Sequence, residues 1–188
     1  MKDIGHKYCM GFLSGSSSDF EKIVELYRGN LILFIQQYVR DYQSAEDVAQ
    51  NVFIKLYVKK PHYSPKALFK TWLYTMAKRD ALSYIKEQKQ KSEVALYELH
   101  ENIEIDYLEA ILANERKIKL HYALDELNPD YRQVLYLYYF EDFSVSDISI
   151  LLKIKPQCVS DRLYNAKKAL KSVIIKGGTK YEILRTSY

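Results

Sequence analysis

Gln157, Cys158, Ser160, Asp161, Arg162, Asn165 and Lys168 all fall outside an apolar stripe formed by Val159, Leu163, Ala166 and Leu170. On a helix they would stand on the outer side, a set of hydrogen-bond donors and acceptors suited to base edges and phosphates. A merely solvated face is the plainer reading, because exposed charge is the default. Covalent chemistry has no comparable set. His6, His62, His100 and His121 are scattered, and no nucleophile, Gly-rich phosphate loop or carboxylate cluster with metal spacing accompanies them. No catalytic residue, metal or cofactor is expected.

A second group lies upstream, where Lys59, Lys60, His62 and Tyr63 precede Lys70, Lys78, Arg79 and Lys86. Basic side chains interleaved with aromatic ones, beside a loop, suit single-stranded nucleic acid: charge follows the backbone while rings or a pocket take an unstacked base. Trp72 belongs to the apolar stripe instead and reads as core. A third group is polar with one exception. Asp47, Gln50, Asn51 and Ile54 recur at three, four and seven residues, which places an apolar Ile on an outer surface.

These groups need helices to carry them. Asn128-Pro129 is an N-cap followed by a first-turn proline, and Val134, Leu135 and Tyr138 then share a side until Glu141-Asp142 breaks the pattern. Ser144 and Asp147 open a short second helix with Ile148, Leu151 and Leu152 inside. Ile154-Lys155-Pro156 ends it, and Pro156 opens a third. Two short helices joined so tightly, the last basic and amphipathic, describe a helix-turn-helix whose final helix can enter a major groove. Further upstream, Ser18 with Glu21 reads as a capping box for a helix that Gly29-Asn30 should kink or divide. Ser44 with Asp47 opens the next, with Val48, Ala49, Val52, Phe53 and Leu56 inside. Two prolines make KKPHYSP a loop, and Ser64-Pro65 starts a helix to about Lys89 with Leu68, Trp72, Met76 and Ile85 inward.

The totals agree with helices. Gly 6 and Pro 4 in 188 residues are few for a turn-rich β protein, and 48% hydrophobic content is ordinary. Cys9 and Cys158 form no Cys-x-x-Cys or Cys/His cluster, which fits a reducing cytoplasm. No run of about 18 apolar residues predicts a membrane span, and Met1–Met10 lacks the apolar core of a secretion signal. The net charge of +4 is unevenly spread. From Lys55 to Lys91 ten Lys/Arg face Asp80 and Glu87; Ser92–Glu115 has seven acidic residues and no Lys or Arg; Lys153–Lys180 has eight basic residues against Asp161. Two basic modules flank an acidic connector.

The stretch from Asn128 to Lys171, with Leu127, Asn128 and Tyr131-Arg132 at signature positions, resembles the fourth conserved domain of bacterial sigma factors. AEDVAQNVFIKLY, from Ala45, resembles the sigma-family helix that docks on the clamp helices of the polymerase β′ subunit. FKTWLYTMAK, from Phe69, resembles the segment that recognises and melts the minus-ten element, where the preceding loop captures an extruded base. The likeness runs from about Asp19 to Val173 and is greatest to the compact extracytoplasmic-function group of the sigma-70 family.

It implies an all-α chain of two small helical domains, the C-terminal one a winged-helix-like helix-turn-helix. The expected layout is a flexible lead-in over 1–17, sigma domain two over 18–91, an acidic linker over 92–106, sigma domain four over 107–176 and a tail over 177–188. The linker of such factors threads the polymerase cleft; a solvated tether is equally consistent with its residues. The resemblance assigns the minus-thirty-five element to Gln157, Cys158, Ser160, Asp161, Arg162, Asn165 and Lys168. It assigns minus-ten recognition and melting to Lys59, Lys60, His62, Tyr63, Lys70, Lys78, Arg79 and Lys86, and core polymerase contact to Asp47, Gln50, Asn51 and Ile54. Partners would be core RNA polymerase through its β and β′ subunits, promoter DNA and an anti-sigma factor.

Departures mark the limits of the likeness. Arg79 stands where Asn is usual, Lys153 where the turn often has Gly, and Lys155 where Ser would cap the last helix. A helix-turn-helix regulator that never engages polymerase is the alternative, and a helical nuclease a more distant one.

Overall fold

The computed structural model describes residues 3–64, 67–92, 123–124 and 126–185. Among them are seven α-helices and no strand: α1 (Ile4–Leu13), α2 (Ser17–Val39), α3 (Tyr42–Lys59), α4 (Phe69–Ser92), α5 (Pro129–Tyr139), α6 (Val145–Leu152) and α7 (Pro156–Arg185). The chain divides into two compact units, residues 1–104 and 105–188. The predicted acidic linker lies almost wholly outside the described residues, as does most of 107–127, the start of the expected second domain.

Unit 1 is built on α2, α3 and α4. Leu31, Phe34 and Ile35 meet Val48, Ala49, Val52 and Leu56, and α4 closes the core with Phe69, Leu73, Tyr74, Ala77 and Ala81. Burial of such side chains contributes about 1.5–3 kcal/mol each before the entropy of ordering them is subtracted. One charge is taken inside with them. Asp80, 9% exposed, accepts from Lys55 Nζ at 2.9 Å, so α3 and α4 are tied by an ion pair whose carboxylate has largely left water.

Several boundaries depart from the sequence reading. Residues 4–13, expected in a flexible lead-in, form α1, which packs on α2 and α4 through Cys9 and Phe12. Ser16 rather than Ser18 caps α2, by accepting from Asp19 N–H. Helix α2 continues unbroken through Gly29-Asn30, because the core residues on either side, Ile23 and Leu31, hold it to one axis. Asp41 caps α3 by accepting from Ser44 N–H at 2.6 Å, which makes Ser44 a first-turn residue. Helix α4 begins at Phe69, four residues after Pro65, and its buried stripe shifts accordingly. Leu68 is exposed and Trp72 and Ile85 half-buried, while Phe69, Leu73, Ala77 and Ala81 point inward with Met76. Small alanines carry little weight in a hydropathy pattern, yet they let helices approach closely.

Unit 2 follows its predicted caps more closely. Asn128 accepts from Asp130 N–H at 2.9 Å and Ser144 from Asp147 N–H at 3.1 Å, starting α5 and α6. Val134, Leu135 and Leu137 pack with Ile148, Leu151, Val159, Leu163 and Ala166; Tyr138 is exposed. Helix α7 runs through Gly177-Gly178 to Arg185, past the expected domain limit at 176 and into the expected tail. Glycine lowers helix propensity by about 1 kcal/mol relative to Ala and by itself does not terminate a helix.

Two predictions follow from this packing. Burial, and then the Asp3 charge, pushes the hydroxyls of Tyr27 and Tyr63 up to about 12 from an ordinary 10. Because the folded value lies above the unfolded one, the stability they contribute is whole below pH 10 and is lost as pH rises towards about 12. Urea midpoints measured from pH 8 to pH 11 should fall above pH 10, and less steeply for Tyr27→Phe. Lys155, at the start of α7, has no side-chain oxygen to cap it, so Lys155→Ser should raise stability by roughly 0.5–2 kcal/mol in thermal melts.

Candidate nucleic-acid interface

The turn between α6 and α7 sets the attitude of the last helix. Lys153 adopts a left-handed conformation, φ 58°, where most turns of this kind would place Gly. The turn is fastened across its mouth: Ser149 Oγ donates to the Ile154 carbonyl at 2.8 Å, and Ile154 N–H donates to the Ser149 carbonyl at 3.2 Å. Pro156 then starts α7, with Val159, Leu163 and Ala166 buried beneath it. Gln157, Cys158, Ser160, Asp161, Asn165 and Lys168 are all exposed, and Arg162 is half-exposed.

Arg132 of α5 explains the Tyr-Arg signature in structural terms. Its Nε donates to the Leu124 carbonyl at 3.0 Å and Nη2 to the Leu127 carbonyl at 3.3 Å, tying the segment before α5 to that helix. At the other end, Tyr136 Oη donates to the buried Glu141 carboxylate at 3.0 Å. Burial, then the Glu141 charge, holds that hydroxyl well above its ordinary range. An acidic side chain is thereby kept inside the turn that leads to α6.

The outer face of α7 is internally paired. Gln157 Nε2 donates to Asp161 Oδ1 at 2.9 Å, and Arg162 Nη2 lies 3.0 Å from Asp130 Oδ2 of α5. Two of the strongest donors on the face therefore have carboxylate partners within the protein. Asp130 was not among the predicted site residues, because its partner lies 32 positions away along the chain. Tyr164, 70% exposed, also belongs to the outer face; its spacing of four from both Ser160 and Lys168 was a signal available in the sequence.

In unit 1 the basic residues surround the α3–α4 connection. Lys59, Lys60, His62, Arg79 and Lys86 are exposed, and Lys70 and Lys78 half-buried. Lys70 Nζ sits 5.5 Å from the Tyr74 ring centre. Arg79, 71% exposed, lies 3.7 Å from the Asp80 carboxylate. Tyr63 departs from expectation: it is buried, its hydroxyl donates to the Ala67 carbonyl at 3.0 Å, and its ring packs against Phe69 and Trp72. It organises the connection from within instead of offering an open ring. Apolar contact with Phe69 outweighs exposure of a phenol whose one polar atom already has a partner.

Asp47, Gln50, Asn51 and Ile54 are exposed together along α3, Ile54 at 56%. Gln50 and Ile54 edge an apolar groove of about 440 Å³ shared with Phe20, Val24, Phe53, Tyr57 and Val58, and the Arg28–Glu46 ion pair lies at its margin. Val58 is 71% exposed and Tyr57 51%, so the apolar surface is wider than the one Ile the spacing singled out.

Comparison with known proteins adds to this geometry. The family description Sigma-70 region 2 matches residues 23–91, and Sigma-70, region 4 matches residues 117–170. The RNA polymerase sigma-H factor of Pseudomonas aeruginosa is 28% identical over 166 residues, covering 83% of this chain and 86% of that protein. The ECF RNA polymerase sigma factor SigW of Bacillus subtilis is 26% identical over 167 residues, covering 84% and 89%. Among solved structures, the sigma factor RpoE in complex with the anti-sigma factor NepR, from Bartonella quintana, superposes with a TM-score of 0.65 at 18% identity, covering 83% of this chain and 96% of that one. CnrH, solved with the cytosolic domain of CnrY, gives 0.67 at 17% identity, covering 93% and 99%. At these identities the two structures speak for the fold.

The ion pair at Arg162 is testable on duplex DNA. Asp130→Asn removes the competing carboxylate, so duplex affinity should rise, whereas Arg162→Ala should lower it and flatten the slope of log affinity against log salt by up to about 0.9, the value of one lost phosphate contact. Fluorescence anisotropy over a salt series reads both; an unchanged slope would mean that Arg162 meets no phosphate.

Proposed function

This chain belongs to the sigma-70 family, in its extracytoplasmic-function group, and on that footing we propose how its residues share the work of binding core RNA polymerase and directing promoter-specific transcription initiation. The observation that carries the assignment is the pair of family regions in order on one chain, each matched over a separate helical unit. Family membership gives the activity; the residue roles are our reading.

The α3 face is the polymerase contact. Asp47, Gln50 and Asn51 supply polar groups around Ile54, and the neighbouring groove offers apolar area that a folded monomer has no reason to leave in water. A DNA-binding regulator that never meets polymerase has no use for this face, which favours the first reading over that alternative.

Helix α7 grips the minus-thirty-five duplex. Its exposed amides, hydroxyls and basic groups suit the major groove, with Arg162 and Lys168 on phosphates and Gln157, Ser160 and Asn165 on base edges. Asp161 accepts from Gln157 in the free protein and would exchange that bond for a cytosine amino group in the complex. The α3–α4 connection takes the extruded minus-ten base, and Lys59, Lys60, Lys70, Lys78, Arg79 and Lys86 follow the strand phosphates. The acidic segment over 92–106 is the tether between the two contacts, and domain limits of 18–91 and 107–176 remain our division. Polymerisation belongs to the partner, and this chain contributes binding alone. An anti-sigma factor is a further proposed partner, in keeping with the solved complex of RpoE with NepR. No helix among the described residues is long and apolar enough to cross a membrane, and the cytoplasm, where polymerase works, is the proposed location.

Transcription in vitro with purified bacterial core enzyme and a genomic promoter library tests partner, activity and sequence preference together. Discrete start sites dependent on this chain are expected; random initiation would overturn the assignment. Replacing Gln50 with Ala and Ile54 with Glu together should weaken association with core enzyme at least tenfold, the effect of placing a charge in an apolar contact. Circular dichroism should stay unchanged. Unaltered affinity would move the docking surface elsewhere.

A further inference from the structure

Helix α1 lies upstream of the residues matched by either family region, and the sequence offers no role for it. Its first contact is unusual in kind. The Asp3 carboxylate accepts from His6 N–H through Oδ1 at 3.1 Å and from Phe69 N–H through Oδ2 at 2.6 Å. One charged group thus caps two helices, α1 and α4, and the second of its donors, Phe69, lies 66 residues away in sequence. Both helix ends present unpaired amides and a partial positive charge, so their convergence on one carboxylate is favourable for each.

The rest of α1 touches the α3–α4 connection at two more places. At its beginning, Lys60 Nζ stands 5.0 Å above the Phe12 ring. In its middle, the Tyr63 ring lies 5.8 Å from His6 and 5.5 Å from Phe69. Lys60 itself is the left-handed C-cap of α3, φ 40°, and its N–H donates to the Leu56 carbonyl at 3.2 Å, so the connection leaves α3 in a defined direction. Close approach is provided for as well. A methyl group on Gly5 would press on the Tyr27 hydroxyl and come within 2.6 Å of Phe69 Cδ1. One short helix therefore holds the connection at its start, at Tyr63 and at the first residue of α4.

We infer that α1 is a positioning element for base capture, and that Asp3 is its principal residue: by capping α1 and α4 together it holds Lys60, Tyr63 and Phe69 in the arrangement that receives the extruded base. The inference rests on assigning base capture to that connection. Asp3 touches no DNA; it acts through Phe69 and Tyr63. Preorganisation of this kind lowers the ordering that binding would otherwise require.

The test is a two-by-two comparison in the holoenzyme. Its probes are a forked promoter taken from the transcription library, with its single-stranded minus-ten segment either intact or abasic at the extruded position. Wild-type holoenzyme should bind the abasic fork about tenfold more weakly. In Asp3→Asn the amide nitrogen opposes one of the two N–H donors. That holoenzyme should bind the intact fork several-fold more weakly and lose little further on the abasic one, while affinity for core enzyme stays unchanged. Phe12→Leu, which removes the ring under Lys60 without touching the cap, should shrink the abasic penalty in the same direction. A penalty as large in both variants as in the wild type overturns the role of α1. If the wild type shows no abasic penalty, the base-capture assignment fails instead, and this inference falls with it. Loss of core affinity in step with fork binding would reduce Asp3 to a general stabiliser and also overturn the proposal.

Discussion

The first turn of every helix carries amides with no partner of their own, and where those amides find oxygen decides much of this protein. Asp3, Ser16, Asp41, Asn128 and Ser144 supply the acceptors for α1, α2, α3, α5 and α6. The remaining two helices are the ones that bear the proposed DNA contacts. Helix α4 borrows its acceptor from Asp3, far away in sequence, and α7 begins after a lysine with none to give. Stable caps thus define the scaffold, while the starts of the two DNA-facing helices depend on a distant residue or on a missing one.

Charge taken into the interior is handled in a similar way. Asp80 is met inside by Lys55, which reaches it from α3, with Arg79 farther off at 3.7 Å, and Glu141 accepts from Tyr136 within the turn of unit 2. A buried carboxylate without such a partner would cost several kcal/mol, so each pair commits its neighbours to one arrangement. The first pair sets α3, with its proposed polymerase face, against α4, with its basic residues. The second shapes the chain between α5 and α6 and hence the approach to the recognition helix.

On the surface the same attractions are weaker, and on the proposed DNA face they would serve selectivity. Arg162 with Asp130, and Gln157 with Asp161, are paired in solvent-exposed positions where such contacts are worth no more than about 1 kcal/mol. A phosphate or a matching base edge can displace them, whereas a mismatched one leaves a carboxylate facing the nucleic acid.

Much of this was legible in residue order alone. All-helical structure, the caps at Asn128 and Ser144, the proline starts of α5 and α7 and the exposure of the α7 and α3 faces all depend on interactions within a few residues, which local spacing records; the left-handed turn at Lys153 is expected only from the likeness to a family that often has Gly there. Tertiary structure decided the rest, because the deciding partners are remote. Asp3 could be known as the cap of α4 only once both helix starts met, and this turned an expected flexible lead-in into α1. Tyr63 became core because Phe69 and Trp72 came to lie around it, and the inward stripe of α4 moved once its start was fixed at Phe69. Arg162 found Asp130 across two helices. Sequence determines what a side chain can offer and its immediate geometry; which offer is taken up depends on what packing brings within about 3 Å of it.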